Sequence, residues 1–421
     1  MKNILIVDDD RVTLTMLENT LKRDIKNINI LQASSYKEAL KHILNNNITI
    51  HVAILDLHLP DVKDGDLVDY AVKKNIPSIV LSGMLNETFK QTILEKDIID
   101  YIPKEGVQGI NSAVLMAKRV LNNYNTYVLI VDDSATQLSI AKKMLENLKL
   151  NILTAKDGIE ALDIINNNDK KISLVVTDYN MPNMNGMELT LKIREKYQKD
   201  QLGIIVISAN DTPEIPTKFI KIGANDFINK PYSQIEVTTR VNSNLEILEL
   251  FEQTRDMANK DFMTGAYNRR FFFESGQAIF GKAKRDKRDI VVAMFDIDKF
   301  KNINDTYGHD VGDVAICEVA NILNKHLRSS DLMARFGGEE FCVLLEKISL
   351  KDTEQLFEKI RKAFEENIIN IDDLSIKFTT SVGICYGLED DLDKMIKVAD
   401  DGLYYCKNNG RNQIAVNKHN N

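Results

Sequence analysis

The chain has 421 residues, which at roughly 100–200 residues per domain predicts several domains with separate cores. Hydrophobic residues make up 44% and charged residues 28%, which excludes a disordered or low-complexity chain. The net charge is −8 and no apolar run approaches the ~18 residues that span a bilayer, so we expect neither DNA binding nor membrane insertion. Because no secretory leader precedes the acids at positions 8–10, we expect a cytoplasmic protein.

The N-terminal part contains an internal repeat. The runs ILIVDD at 4–9 and VLIVDD at 128–133 open two similar units, which we place at 1–122 and 127–245. In each unit, short β-branched runs alternate with segments of helical period. This pattern predicts an α/β fold, twice: a doubly wound parallel sheet of five strands with helices on both faces.

Polar residues recur at the ends of the predicted strands in both units. Because the carboxyl ends of parallel strands meet at one edge of a sheet, three carboxylates there predict a Mg²⁺ site, with the lone Asp as the nucleophile that forms an aspartyl phosphate. The alternative is that these acids are ordinary solvated loop residues. The occurrence of five matched positions in both units disfavours this alternative. The positions are an acidic pair, a lone Asp, a Ser and a Lys: Asp8, Asp9, Asp56, Ser82 and Lys104, then Asp132, Asp133, Asp178, Ser208 and Lys230.

On these residues, both units resemble the receiver domains of two-component response regulators. The resemblance implies one Mg²⁺ per unit and phosphorylation of Asp56 and Asp178. It also implies that Tyr101 and Phe227, three residues before each Lys, are aromatic switch positions. The partner implied is a sensor histidine kinase or a phosphotransfer protein.

The two units follow the receiver pattern to different degrees. The second has DYNMPNMNG and the pair Lys230-Pro231, both as in the family. The first has Leu59 where Met is usual, one extra residue before Gly65, and Glu105 in place of Pro. Both units keep three acids, a Ser and a Lys, so the sequence leaves open which receiver carries the phosphate.

After the repeat, a helical stretch without Gly or Pro leads into a sequence with a different pattern from that of the two units. We assign 246–260 to a connecting helix, and the spacing of Val241, Leu245 and Leu248 leaves a dimer contact open. From Asp261, the buried strand IVVAMFDID, a Gly-Gly hairpin and the strand SIKFTTSVGIC predict an α+β domain at 261–416 with a mostly antiparallel sheet.

Two acidic clusters in this domain suggest metal and nucleotide chemistry: FDIDKFKNINDTYGHDVGD at 295–313 and RFGGEEF at 335–341. A Gly-Gly turn lets the backbone approach a ligand closely, and two carboxylates follow it. Asp296 lies at the end of a buried strand, and its pairing with Glu339 predicts a divalent-metal site for a nucleoside triphosphate. Two metal ions in such a site would stabilise the attacking and leaving oxygens. An exposed acidic hairpin tip is the alternative for the turn alone.

With DFMTGAYNRR at 261 and ADDGLYYCKNNGRNQ at 399, these clusters resemble the GGDEF family of diguanylate cyclases. The resemblance implies condensation of two GTP into cyclic di-GMP and two pyrophosphates, with two Mg²⁺ per active site, in a homodimer. By this resemblance Asp296, the carbonyl of Ile297 and Glu339 bind Mg²⁺. Glu339 is also the candidate base, and Glu340 supports the metal or the base. The substrate residues implied are Asn304 and Asp313 for guanine, and Lys301, Lys407, Arg411 and the Gly337-Gly338 backbone for the triphosphate.

A further motif, Arg328-Ser329-Ser330-Asp331, is separated from Gly337 by five residues. At this distance it matches the family's inhibitory product site, where Arg binds phosphate and guanine and Asp binds the guanine edge. A catalytically silent sensor of cyclic di-GMP is the rival hypothesis, which the intact metal acids disfavour. A transcription factor is disfavoured because no terminal basic helix-turn-helix segment is present.

Overall fold

Each copy of the repeat folds into a parallel five-stranded sheet whose strands run in the spatial order 2-1-3-4-5. The central strands are buried almost throughout because helices cover both faces, which confirms the predicted doubly wound fold. The first sheet contains β1 (Lys2–Val7), β2 (Ile28–Ala33), β3 (Ile50–Leu55), β4 (Ser78–Ser82) and β5 (Asp100–Pro103). The second contains β6 (Tyr127–Val131), β7 (Asn151–Ala155), β8 (Ile172–Asp178), β9 (Gly203–Ser208) and β10 (Asp226–Asn229).

Side-chain caps define where several covering helices begin. Asp10 accepts hydrogen bonds from the backbone N–H groups of Val12 and Thr13, and Asn185 forms a capping box with Glu188. The helices of the first copy are α1 (Arg11–Asp24), α2 (Tyr36–Ile43), α3 (Asp66–Lys73) and α4 (Gly106–Asn123). Those that follow are α5 (Ala135–Asn147), α6 (Gly158–Asn167), α7 (Gly186–Arg194), α8 (Glu214–Ile222) and the long α9 (Gln234–Asn259).

The coordinates are a computed structural model that describes residues 1–83, 92–93, 96–209, 214–371 and 374–418. The chain divides into two units, Met1–Glu252 and Gln253–Asn421. Among the described helices, none has the length and apolarity needed to cross a membrane.

Within the first unit, a buried arginine joins the last helices of the two copies. Arg119 of α4 donates hydrogen bonds to Asn123 at 2.8 Å and to Glu249 of α9 at 2.7 Å. Asn123 is fully buried and donates to the carbonyl of Leu148 at 2.9 Å. The two copies are therefore connected by polar contacts as well as by the intervening chain.

The second unit contains a six-stranded sheet, whose strands in spatial order are β11 (Tyr267–Asn268), β13 (Leu332–Gly337), β14 (Glu340–Glu346), β12 (Ile290–Ile297), β17 (Thr380–Gly387) and β18 (Ile414–Lys418). Its three central strand pairs are antiparallel and its two outer pairs are parallel, which confirms the mostly antiparallel sheet. Two further strands, β15 (Ile369–Ile371) and β16 (Leu374–Ile376), form a separate antiparallel two-stranded sheet. The helices are α10 (Arg269–Asp286), α11 (Phe300–Tyr307), α12 (His309–His326), α13 (Leu350–Glu366) and α14 (Leu392–Asn408).

Helix α14 and strand β17 approach each other too closely for a side chain to fit between them. A Cβ atom on Gly383 would lie 2.0 Å from the carbonyl oxygen of Ala399 and 2.2 Å from the backbone nitrogen of Leu403. Gly402 faces this strand, and its own Cβ would lie 3.3 Å from the Cα of Gly383. The pair of glycines therefore sets the position of α14 on the sheet.

We predict that Gly383→Ala destabilises the C-terminal domain by about 3 kcal/mol or more, because the new methyl group would meet backbone atoms that cannot rotate away. Gly281→Ala in α10 is the matched control: its Cβ would meet no atom within 4 Å, so we expect about 0.5–1 kcal/mol of stabilisation. Calorimetry of the full chain measures both changes, with the receiver transitions as an internal reference. Equal melting behaviour of the two variants would contradict the prediction.

Candidate functional site

In the first receiver, Asp56 directly follows β3 and is 4% exposed. Its Oδ1 accepts hydrogen bonds from the Ser82 hydroxyl at 2.8 Å and from the backbone N–H of Leu57 at 2.6 Å. Its Oδ2 accepts one from Lys104 at 2.6 Å. The structure thus brings together the lone Asp, the Ser and the Lys that the sequence predicted.

Lys104 also pairs with Asp8, at 2.7 Å. Burial raises the pKa of Asp8 above its ordinary value. Burial alone would lower the pKa of Lys104, but its hydrogen bonds to Asp56 and Asp8 outweigh that effect and raise its pKa. The lysine therefore remains protonated and neutralises part of the carboxylate charge.

The acids of the first receiver suit a hard divalent cation. Asp8, Asp9 and Asp56 each offer a carboxylate oxygen, and these oxygens lie within 4.8 Å of one another. Tyr101 is buried, and its hydroxyl donates to the carbonyl of Gly83 at 2.7 Å. The predicted aromatic position thus contacts the backbone that follows Ser82.

The second receiver repeats this arrangement less tightly. Lys230 donates to Asp178 at 2.5 Å but lies 3.6 Å from Asp132, whose pKa is raised by burial. Among the described residues, the 4.8 Å grouping found in the first receiver does not recur with Asp132, Asp133 and Asp178. The two remaining predicted positions are buried: Ser208 ends β9 and Phe227 lies in β10.

In the C-terminal domain, Asp296 and Glu340 lie opposite each other on neighbouring strands β12 and β14. Asp296 is 5% exposed and its Oδ2 lies 2.7 Å from the Nζ of Lys407. Burial raises the pKa of Asp296 to about 6; the Lys407 contact opposes the shift, while the charges of Glu339 and Glu340 add to it. Glu339 and Glu340 thus lie close enough to add to the raised pKa of Asp296, and such a group of carboxylates fits a divalent cation between them.

An arginine braces the Gly-Gly turn that presents Glu339. Gly337 and Gly338 have φ values of 153° and 51°, which glycine adopts without steric cost. Arg335 donates to the carbonyl of Gly338 at 2.9 Å and pairs with Asp261 at 3.0 Å. No role was predicted from the sequence for Asp261 or Arg335, although they lie in the motifs DFMTGAYNRR and RFGGEEF.

The predicted guanine residues lie on two consecutive helices. Asn304 of α11 reaches the start of α12, because a Cβ on Gly312 would lie 1.9 Å from the Asn304 Oδ1. Asp313, the next residue, is exposed. The Asn304 Oδ1 is buried and has no hydrogen-bond partner among the described residues, which fits an acceptor that binds the N–H groups of a base.

The predicted phosphate residues do not form one contact group. Lys407 pairs with Asp296, whereas Lys301 is exposed on α11. Arg411 is exposed in the turn after α14, and it lines a cleft of about 530 Å³ together with Lys299. Each residue could still contact a different part of an extended triphosphate.

Asp298, for which no role was predicted from the sequence, accepts hydrogen bonds with both of its carboxylate oxygens. It is 8% exposed and accepts hydrogen bonds from the hydroxyls of Thr379 and Ser381 at 2.7 and 2.6 Å. Its Oδ2 also accepts one from the backbone N–H of Asn412 at 2.9 Å. Asp298 therefore joins β12 to β17 and to the turn after α14, although it lies only two residues from Asp296.

The Arg328 to Asp331 segment forms an exposed turn after α12. The backbone N–H of Arg328 donates to the Asp331 carboxylate at 2.8 Å, and the Asp331 N–H donates to the Arg328 carbonyl at 3.0 Å. In the part of the chain that is described, the Arg328 guanidinium has neither a hydrogen bond nor an ion pair. The motif is thus preorganised by its backbone and leaves its cation available.

Comparison with known proteins identifies the same domains. The family model described as response regulator receiver domain matches residues 4–114 and 128–242. The model described as diguanylate cyclase, GGDEF domain, matches residues 258–413. The receiver matches alone cover more than half of the chain.

Several known proteins are similar over the whole chain or over parts of it. "Response regulator PleD" of Caulobacter vibrioides is 24% identical, with 98% of each chain covered. "Diguanylate cyclase A" of Treponema denticola is 38% identical over 40% of this chain and 47% of its own. A crystal structure of a "putative two-component system response regulator/ggdef domain protein" is 31% identical over 59% of this chain and 100% of its own, with a TM-score of 0.53.

These matches agree with the fold, the receiver pockets and the acidic hairpin described above. The chain belongs to the response-regulator receiver family and, through its GGDEF domain, is a response-regulator diguanylate cyclase.

Proposed function

We propose that this enzyme joins two GTP at the Asp296–Glu339 site, with each protomer of a homodimer binding one GTP. In each of two steps, the 3′-oxygen of one GTP bonds to the α-phosphorus of the other. The bond between the α-phosphorus and the bridging oxygen breaks, pyrophosphate leaves, and the hydroxyl proton passes to a base. The observation that carries the proposal is the pair of facing strand positions that bear the buried Asp296 and the half-buried Glu340 beside the Glu339 turn.

Named residues of this site take separate roles. Asp296, the carbonyl of Ile297 and Glu339 would hold two Mg²⁺, which when bound lower the pKa of the attacking hydroxyl and stabilise charge on the phosphoryl group. Glu339 accepts the proton from its position at the hairpin tip, while Lys407 keeps the Asp296 carboxylate oriented. Glu340 supports the metal or the base from the neighbouring strand position.

The remaining contacts bind substrate. Asn304 and Asp313 bind the guanine edge, and the unpartnered oxygen of Asn304 supports this role. Lys301, Arg411 and the backbone of the Gly337-Gly338 turn bind the triphosphate, and the exposure of all of these residues supports this role. A single set of these residues per chain supports a homodimer, because the reaction needs two GTP face to face.

Regulation is proposed at two further places. A sensor histidine kinase or phosphotransfer protein would phosphorylate Asp56 or Asp178, with one Mg²⁺ per receiver and with Ser82, Ser208 and the two lysines binding the phosphoryl group. Tyr101 and Phe227 would report that event to neighbouring elements. Cyclic di-GMP would bind Arg328 and Asp331 and thereby inhibit its own synthesis by the enzyme. Because GTP is made inside cells, the proposed activity belongs in the cytoplasm.

Glu339→Gln should reduce cyclic di-GMP synthesis at least about 100-fold, because it removes a metal-binding charge with almost no change in shape. The control is Glu346→Gln at the far end of β14, which we expect to keep full activity. Product formation from GTP and Mg²⁺ is measured by mass spectrometry, and melting temperature reports folding. Normal turnover by a folded Glu339→Gln variant would remove this assignment.

Arg328→Ala should raise the cyclic di-GMP concentration for half-inhibition about 10- to 100-fold, since a charge-assisted phosphate contact contributes about 1.5–3 kcal/mol. Turnover without added product should stay unchanged. Lys325→Ala removes an exposed cation from the last turn of α12 and serves as the control. If the inhibition curve of Arg328→Ala overlies that of the control, feedback does not use this motif.

Acetyl phosphate with Mg²⁺ should add phosphoryl groups to both receivers, because each has its lysine within 2.6 Å of its aspartate. Intact-mass analysis should find one phosphoryl group on Asp56→Asn, one on Asp178→Asn and none on the double variant. Failure of Asp56→Asn to gain mass would show that the second receiver does not accept phosphate.

A further inference from the structure

The turn that carries Arg411 has a backbone conformation that needs support from outside the turn. Arg411 and Asn412 have φ values of 64° and 46°, so two successive non-glycine residues lie in the left-handed region. Residues with a Cβ adopt this region at an energetic cost. Within the described residues the Arg411 side chain makes no hydrogen bond that would offset this cost, whereas Asn tolerates the conformation better. Contacts beyond the turn must therefore hold it.

Those contacts converge on Asn412. Its backbone N–H donates to the buried Asp298 carboxylate at 2.9 Å. Its side-chain oxygen accepts a hydrogen bond from Arg361 at 2.8 Å, and its side-chain nitrogen donates to Glu365 at 2.9 Å. Within the turn itself, the Arg411 N–H donates to the carbonyl of Cys406 at 3.0 Å.

Asn412 is thus fixed by two different parts of the domain. Asp298 follows β12, the strand that carries Asp296, so the backbone of the turn is tied to the metal-binding strand. Arg361 and Glu365 lie on α13 and are paired with each other at 2.9 Å. In contrast, the Arg411 side chain has no hydrogen bond or ion pair in the described ranges and lines the cleft beside Lys299.

We propose that Asn412 is a positioning residue for Arg411, because it fixes the strained turn from which the guanidinium reaches the triphosphate. The inference rests on the proposed function in one respect, since it takes Arg411 as a phosphate ligand. Asn412 itself contacts protein groups through its backbone and both side-chain polar atoms, so it acts through its neighbour and not on GTP.

A double-mutant cycle on the full chain tests this role. We expect Asn412→Ala to raise the dissociation constant and the KM for GTP about tenfold while kcat changes less than about twofold, because a misplaced Arg411 loses a binding contact. In the Arg411→Ala background the same substitution should have almost no further effect. Asn409→Ala, which removes only a bond to the carbonyl of Tyr405, is the matched control and should behave as wild type.

A further variant separates backbone strain from side-chain contacts. Asn412→Gly adopts the left-handed conformation without steric cost but lacks both side-chain hydrogen bonds. We therefore expect this variant to weaken GTP binding as well. It takes the place of Asn412→Ala in the cycle if Asn412→Ala does not fold.

The possible results distinguish this inference from the proposed function. An equal effect of Asn412→Ala in both backgrounds, or no effect, overturns the positioning role. GTP binding with the expected coupling but without cyclic di-GMP formation overturns the proposed function alone. Absence of GTP binding by the unsubstituted chain overturns both.

Discussion

A buried aspartate at the end of a strand, neutralised by one lysine from later in the chain, recurs in all three domains. The pairs are Asp56 with Lys104 at 2.6 Å, Asp178 with Lys230 at 2.5 Å, and Asp296 with Lys407 at 2.7 Å. A carboxylate taken out of water is costly unless it is paired and hydrogen-bonded. Each domain therefore has to enclose this pair, and in the proposed function the same pair supplies charges for metal and phosphate chemistry.

Small differences between the two receivers show how much this pairing tolerates. The first departs from the family pattern before Gly65 and after Lys104, yet Lys104 contacts both Asp8 and Asp56 within 2.7 Å. Gly65, which follows the longer loop, is the N-cap of α3 and has a φ of 86°, a conformation that glycine adopts without steric cost. The second receiver follows the pattern but holds Asp132 at 3.6 Å from Lys230. A receiver that follows the family motif more closely therefore does not have shorter distances between its lysine and all of its aspartates.

The strands, the repeat and the paired acids could be predicted from the sequence because each depends on local pattern or on a position relative to a strand end. The roles of Asp298 and Asn412 could not, since their partners lie far away in the chain: 83 residues separate Asp298 from Ser381 and 114 separate it from Asn412. By residue type alone, Asp298 resembles another metal acid. Only the packed structure shows that hydroxyl and amide donors already occupy its oxygens.

Helix α14 connects these contacts to the way the domain is packed. It rests directly on β17 through Gly383 and Gly402, and it carries Lys407 in its last turn, four residues before Arg411. A shift of the helix would move the counter-ion of Asp296 and the start of the turn that bears Arg411 together. The close glycine contact and the Asp298 clamp constrain this segment from two sides, because one fixes the helix on the sheet and the other fixes the turn on β12. A closely packed interior does not allow a helix to move by several ångströms. The positions of Lys407 and of the turn that bears Arg411 therefore depend on how α14 packs against β17.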